Sequence, residues 1–274
     1  MPPLWKPKLQ LREVPGQGEF LKSRGLSLSE LDGAFARGTV VSQSSRGRVH
    51  FVPGTDDSSG IFVKIFLPRG KDLLRAIALG SDPLREYRSL CFLRDLGIPV
   101  VKPLAVGVQR RFGMPRSAFL ITEAVAHGQN LDAYLTRLKM MEPSLDKTRR
   151  DDALRRFAVD IGRMHQSGFV DGDLHFRNVL VVEEAAVISW AFLDHPRSRV
   201  LRAGTGRHAD GIAHDLACLD KHAPKFLRRT ERLRFFKAYV GHQELNREDK
   251  TLLRAIEKRR QKLLRKREAK LRQD

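Results

Sequence analysis

Strand patterns dominate the chain up to about residue 125 and helix patterns dominate beyond it, and that order limits its architecture more than any other feature. Apolar residues come mostly in short alternating or continuous runs in the first part and mostly every three to four positions in the second. Val40 and Val41, the alternating "RVHFV" and the apolar "IFVKIF" read as three strands of an antiparallel meander. The "SQSSRG" and "PGTDDSSG" stretches between them carry turn chemistry. "VKPLAVGVQ" and "SAFLITEAV" read as two further strands. One helix interrupts them at "DPLREYRSLCFLRDLG", with a stripe of Leu84, Tyr87, Leu90 and Cys91, Asp82 as the expected cap and Gly97 and Pro99 as its end. Past residue 125 a helix starts at Asn130 and a longer one runs from about Arg149 to Gln166, with Leu154, Phe157, Ile161 and Met164 on one face. After "FVDGDLHFRN" come a strand "VLVV" and another ending at Leu193. The remainder, from about Ala213, reads as helical and closes on a long basic helix from Arg247. Strands first and helices second predict an α+β fold with two lobes. The expected divisions are an extension over 1–37, holding a short helix at "SLSELDGAFA" capped by Ser27 or Ser29, a small antiparallel lobe over 38–126, a larger helical lobe over 127–245 and the basic helix over 246–274.

Charge narrows the partners. The 274 residues carry 51 Lys and Arg against 32 Asp and Glu, a net +19, and residues 250 to 274 hold 11 of those cations against 3 acids. Such a field favours polyanions: nucleic acid, an anionic membrane face or a phosphorylated glycolipid. Sign alone does not choose among them. Cys91 and Cys218 sit in no metal or redox spacing, so a reducing compartment is expected. There is no apolar leader at the start and no run approaching the roughly 18 apolar residues of a spanning helix, so a soluble, cytoplasmic protein is expected, touching the inner face of a membrane at most peripherally.

The chemistry-bearing residues lie at element ends. Asp173 and Asn178 form D-x-x-x-x-N, the spacing of a protein kinase's catalytic loop, where the acid takes the acceptor hydroxyl's proton and the amide binds a metal. Asp194 ends the strand after the following hairpin, where a second metal-binding acid would stand. Upstream, Lys64 interrupts an apolar strand and needs an anionic partner if buried; Glu86 on the next helix is the candidate. Each feature has a plainer reading. Lys64 can snorkel, Glu86 can be a solvated helix residue, Asp173 with Asn178 can make an Asx turn, and Asp194 can end a strand before Pro196. Asp171 reads as a brace for the loop backbone. "GDLH" also suits metallophosphatases, yet the other histidines, such as His208 and His214, form no cluster to match. "GTGRHADG" is a lone Gly-x-Gly without a preceding strand.

Taken in order, strand lysine, helix glutamate, D-x4-N loop and strand-end aspartate resemble the protein-kinase-like superfamily. Within it they resemble the lipopolysaccharide kinase (Kdo/WaaP) family, through "FVKIF", "LREYRSLCFLRDLGIPVVKPLAVG", "MHQSGFVDGDLHFRNVLV", "FLDHPRS" and "HDLACLDKHAPKFLRRTERLRFFKAYV". The resemblance spans about residues 38 to 240. It implies ATP, Mg²⁺ and phosphorylation of a sugar hydroxyl on lipopolysaccharide or a related glycolipid. Lys64 would contact the α- and β-phosphates with Glu86 anchoring it, Asp173 would be the base, and Asn178 and Asp194 would hold Mg²⁺. His175 would stand beside the phosphates and favour a non-protein acceptor. Ser44, Ser45, Arg46 and Gly47 would cover the phosphates, and the backbone at Glu123 and Val125 would meet adenine. The chain departs from the pattern at Asp171, where a histidine is usual, at His195 and Pro196 after Asp194, and in lacking a glycine-rich phosphate loop. A RIO-like atypical kinase and a catalytically silent module binding anionic glycolipid or RNA through the basic tail are the alternatives.

Overall fold

The computed structural model describes residues 8–13, 38–45, 47–54, 59–68, 70, 73, 81–112, 114–140, 147–184 and 187–272. The chain divides into two units, one of residues 1–94 and 100–126, the other of residues 95–99 and 127–274.

The first unit is built on a six-stranded antiparallel sheet. Its strands are β1 (Lys8–Glu13), β2 (Thr39–Ser44), β3 (Gly47–Val52), β4 (Ile61–Phe66), β5 (Pro103–Arg111) and β6 (Met114–Glu123), in the order β1-β5-β6-β4-β3-β2. Period-two burial along β4 explains its place at the centre. Ile61 and Val63 are fully buried and pack with Leu104, Ala105, Phe119 and Ile121, while Lys64 projects from the other face between Val49 on β3 and Leu120 on β6. Gly47 belongs to this packing. A Cβ there would stand 2.0 Å from the Ile65 carbonyl oxygen, so only glycine lets β3 lie this close to β4.

Helix α1 (Asp82–Asp95) buries Pro83, Glu86, Tyr87, Leu90 and Leu93. Its cap differs from the expectation. Asp82 is the first helical residue, and the Ser81 carbonyl accepts the first helical bond from Arg85 N at 3.1 Å. Pro83 lies in the first turn, where its missing N–H costs no helical bond, and Asp82 pairs with the Arg85 guanidinium at the positive end of the helix. Strand β1 is the other departure, since no strand was expected there. It pairs with β5 from Lys8 opposite Arg110 to Glu13 opposite Ala105. The expected helix at "SLSELDGAFA" lies outside the described residues.

The second unit is mainly helical. Helix α2 (Leu131–Met140) starts where expected, with Asn130 Oδ1 accepting from Ala133 N at 2.8 Å. Helices α3 (Lys147–Gln166), α4 (Gly206–Asp220), α5 (Arg229–Val240) and α6 (Arg247–Leu271) follow, with α3 packed on α5 and α4 on α6. α4 begins well before Ala213 because Thr205 caps it, accepting from His208 N. Short strands β7 (Gln129–Asn130), β9 (Val179–Glu183) and β10 (Ile188–Phe192) form one small sheet, and β8 (Phe169–Val170) pairs with β11 (Arg199–Val200). Phe157 of α3 stacks on Phe192 of β10 at 5.6 Å and meets Trp190 edge-on at 5.5 Å, which ties the β9–β10 hairpin to α3. Asn246 and Asp249 cap α6 reciprocally, each side chain accepting from the other's backbone N–H. Among the described residues no helix is long and apolar enough to cross a membrane.

Candidate functional site

Within the first unit, Lys64 Nζ lies 2.8 Å from Glu86 Oε2. The lysine side chain keeps 35% exposure and the glutamate 6%, so α1 buries the anion and leaves the amine partly open on the face of β4. A buried carboxylate needs such a partner, which explains why a lysine is tolerated in this strand. Ser44 ends β2, where its hydroxyl donates to the Gly47 carbonyl at 3.3 Å, and Ser45 is exposed in the turn. Arg46 lies outside the described residues. The carboxylate of Glu123, at the end of β6, is held by the Ser59 hydroxyl and by Lys102 Nζ at 2.9 Å, while its N–H donates to the Lys102 carbonyl. Val125 is half-buried just beyond.

Within the second unit, the segment between β8 and β9 is fixed by buried acids. Asp215 of α4, 0% exposed, accepts from the backbone N–H groups of Asp171 at 2.7 Å and Gly172 at 2.8 Å. His165 Nε2 of α3 approaches the same carboxylate at 3.4 Å, and its Nδ1 lies 2.8 Å from the Tyr239 hydroxyl. With a carboxylate on one side, the consistent arrangement has Nε2–H donating to Asp215 and the Tyr239 O–H donating to Nδ1. Burial and the Asp215 charge push the Tyr239 hydroxyl above its ordinary range, so it stays a donor. Burial, then the Asp215 charge, also pushes the Cys218 thiol up to about 12, which keeps that cysteine inert.

The brace continues outward. Asp171 Oδ1 accepts from Asp173 N at 3.0 Å, and Asp171 Oδ2 accepts from His195 Nδ1 at 2.7 Å. Burial pushes the Asp171 carboxyl up, the Asp215 charge adds to this, and His195 opposes it. His195 reaches Asp171 because Asp194 turns the chain at φ +63°, a left-handed conformation that aspartate tolerates better than most residues. Gly172 has φ +76°, and a Cβ there would meet the Arg197 carbonyl oxygen at 3.1 Å.

Asp173 stands on this brace. Its carboxylate pairs with His175 Nε2 at 3.2 Å and Arg177 Nη2 at 3.0 Å, and Asn178 Nδ2 donates to its carbonyl oxygen at 2.9 Å. Burial acts to raise the Asp173 carboxyl, but the His175 hydrogen bond and charge, with Arg177 and Arg197, outweigh it and hold the group below the usual carboxylate range. It is therefore an ionised acceptor at neutral pH. Leu193 N donates to the Asn178 carbonyl at 3.0 Å, which brings the Asp194 turn alongside Asn178.

The structure thus brings Lys64 to Glu86 in one unit, and Asp173, His175, Asn178 and Asp194 together in the other. Sequence reasoning missed Asp215, His165, Tyr239 and the role of His195. For His195 a signal existed: the two departures at 171 and 195 are an acid and a base, a complementary pair. For Asp215 none existed within its own helix.

His222 lies beside this loop, its ring centroid 6.5 Å from that of His175. Burial, then the charges of Lys221 and Arg267, push it down to about 4. The unfolded chain holds a proton on this imidazole up to about pH 6.5, while the folded chain releases it down to about 4. Between those values the unfolded state binds more protons, so stability is lost as pH falls through this window. We expect the thermal midpoint in phosphate-free buffer to fall from pH 6.5 to pH 4 and the fall to shrink in His222→Gln; an equal slope in the variant would show that His222 is not its source.

Comparison with known proteins bears on what this arrangement is. Residues 66–239 match the model of the lipopolysaccharide kinase (Kdo/WaaP) family. No curated protein matches the chain. Among solved structures, one described as WaaP in complex with acyl carrier protein is similar with a TM-score of 0.68 at 21% sequence identity, over 93% of this chain and 99% of that one. The likeness places the chain in the α+β protein-kinase-like fold, an antiparallel N-terminal sheet followed by a mainly helical C-terminal part.

Proposed function

The chain belongs to the lipopolysaccharide kinase (Kdo/WaaP) family, and from that premise we propose that it transfers the γ-phosphoryl group of ATP to a sugar hydroxyl of the lipopolysaccharide core or a related glycolipid. Membership of a kinase family implies ATP as the donor. The observation that carries the reading is Asp173: an ionised carboxylate on a doubly braced backbone, with the Asn178 amide bonded to the same residue. In this reading Asp173 orients the acceptor hydroxyl and takes its proton as phosphoryl transfer proceeds in line. Phosphoryl transfer asks the protein for positioning and charge rather than covalent chemistry, which is what a braced loop supplies.

Lys64 contacts the α- and β-phosphates and Glu86 holds it extended. His175 assists at the phosphates, Ser44, Ser45, Arg46 and Gly47 cover them, and the backbone at Glu123 and Val125 receives adenine. Asn178 and Asp194 would supply oxygen ligands for Mg²⁺. Among the described residues there is no group of three or more His, Cys, Asp or Glu that could hold a metal alone. That suits an ion that takes one or two protein oxygens and completes its shell with phosphates and water. Bound there, Mg²⁺ would neutralise charge on the β- and γ-phosphate oxygens. The basic C-terminal stretch, carrying 11 Lys and Arg over residues 250–274, would hold the protein near anionic headgroups.

Mass spectrometry of cellular glycolipids with and without this protein tests the reading. A glycolipid that lacks one phosphate in the protein's absence, and regains it on complementation, is expected. Identical phosphate content in both cells would overturn it, and RNA or glycolipid binding without transfer would favour a silent module.

A further inference from the structure

Asp215 braces the loop only as far as Gly172. Its carboxylate accepts the Asp171 and Gly172 amides, and both lie before the residue that addresses the acceptor. The next peptide, which carries Asp173, is fixed by another side chain: Asp173 N donates to Asp171 Oδ1 at 3.0 Å. Gly172, at φ +76°, gives that peptide a swivel, because a residue without a Cβ meets little steric resistance in either sense. On the far side the Asn178 amide holds the Asp173 carbonyl at 2.9 Å. The aim of the Asp173 carboxylate therefore depends on where Asp171 points its Oδ1.

A carboxylate is planar and its torsion about Cβ–Cγ is soft, so one hydrogen bond does not set its plane. The second bond comes from His195, whose Nδ1 donates to Asp171 Oδ2 at 2.7 Å, with the two side chains 0% and 1% exposed. The fold delivers the imidazole to this point. β8 and β11 pair with Val170 opposite Arg199, so Asp171 leaves one strand beside the segment that enters the other. The Ser198 hydroxyl closes that segment by donating to the His195 carbonyl at 2.8 Å, and the left-handed Asp194 turns the chain into it. The His195 ring stands edge-on to Phe169 of β8, centroids 5.9 Å apart, so packing fixes the ring that fixes the carboxylate. Two imidazole–carboxylate pairs thus act in series, His165 on Asp215 and His195 on Asp171, and the second ends on the Asp173 amide. Packing alone would accept any ring of this size at 195; an apolar one would leave Asp171 Oδ2 without this donor.

We propose that His195 is a positioning residue for phosphoryl transfer: by donating to Asp171 Oδ2 it sets the plane of that carboxylate, and the carboxylate in turn aims the peptide that carries Asp173. The inference rests on the reading of Asp173 as the base that addresses the acceptor hydroxyl, and it adds the residue that aims that base from two positions away in the hydrogen-bond chain. His195 directly follows Asp194. The turn assigned to Mg²⁺ and the peptide assigned to the acceptor are therefore set by one connected path, from the Asp194 turn through His195 and Asp171 to the Asp173 amide.

Two substitutions separate aiming from packing. His195→Phe keeps a ring against Phe169 and loses the N–H; His195→Asn loses the ring and keeps an N–H donor one bond beyond Cγ, where Nδ1 stands. Backbone amide hydrogen exchange of the full chain is followed at Asp171, Gly172 and Asp173. We expect His195→Phe to speed exchange at Asp173 about tenfold or more, the loss of one hydrogen bond. Asp171 and Gly172 stay protected because Asp215 holds them, which also shows that the variant is folded. His195→Asn keeps the Asp173 amide within about threefold of wild type. In transfer assays His195→Phe lowers kcat about a hundredfold at unchanged KM for ATP, the cost of a misaimed group, and His195→Asn restores most of it. In an Asp171→Ala background His195→Phe has little further effect, because the imidazole acts through that carboxylate. Greater damage from Asn than from Phe would assign His195 to packing and overturn the proposal. So would unchanged exchange at Asp173 in His195→Phe, loss of protection at all three amides, or an undiminished effect in the Asp171→Ala background. Absence of transfer by the wild-type chain would remove the proposed function, while exchange at Asp173 would still decide whether His195 holds that residue.

Discussion

Replacing Asp173 with Asn lowers phosphoryl transfer about a thousandfold while leaving the fold in place. The loop backbone is held by the Asp171 and Asp215 carboxylates, not by the Asp173 side chain. The amide keeps the shape and loses the proton acceptor, and a positioned general base is worth roughly 10² to 10⁴ in rate. Arg177 is 63% exposed and loses a partner that water replaces, so unfolding stability should change by about 1 kcal/mol or less. Because His175, Arg177 and Arg197 hold the wild-type carboxyl below its usual range, Asp173 contributes no acid limb to the pH profile above about pH 4. Single-turnover rates beside urea unfolding of the same preparations check this. A loss below tenfold would remove Asp173 from the chemistry.

Asp215→Ala produces the largest loss of stability, although Asp215 touches neither nucleotide nor acceptor in this account. It is 0% exposed and its carboxylate accepts the Asp171 and Gly172 amides and faces His165. Removing it leaves the buried Asp171 N–H, the part-buried Gly172 N–H and an imidazole donor without an acceptor. Each orphaned group costs about 1 to 3 kcal/mol, and breaking a buried charged network typically costs about 3 to 5 kcal/mol. Asp215→Asn keeps one carbonyl acceptor and should lose less. Denaturant unfolding of the full chain measures both, and a loss under 1 kcal/mol in Asp215→Ala would mean that the carboxylate is not the brace.

What could be read in advance follows from the range of the interactions. Lys64 was readable as a residue in need of an anion because β4 shows its burial locally, and the 2.8 Å contact with Glu86 is present. Asn130 as a cap and α3 from its apolar face are likewise local signals. β1 was not readable: six residues between prolines acquire strand character only by pairing with β5, about a hundred positions later. Asp82 misled because an acid at the start of a helix suits both the cap and the first turn, and the helix begins one residue earlier, with the Ser81 carbonyl accepting its first bond. The buried chain Tyr239–His165–Asp215 joins three helices, and no single helix betrays it. Asp171 and His195 looked like two separate departures from a pattern, and the structure makes them one hydrogen-bonded pair. Gly47 looked suited to covering phosphates, and the close approach of β3 to β4 already requires it.

The most direct measurement of the central claim uses purified chain, γ-labelled ATP, Mg²⁺ and lipopolysaccharide, with Asp194→Ala alongside. The account predicts label on the glycolipid with the wild-type chain and none above background with the variant, since it assigns the Asp194 carboxylate to Mg²⁺ and since the residue's left-handed turn seats His195. Equal labelling by the two proteins, or none by the folded wild type, would contradict it.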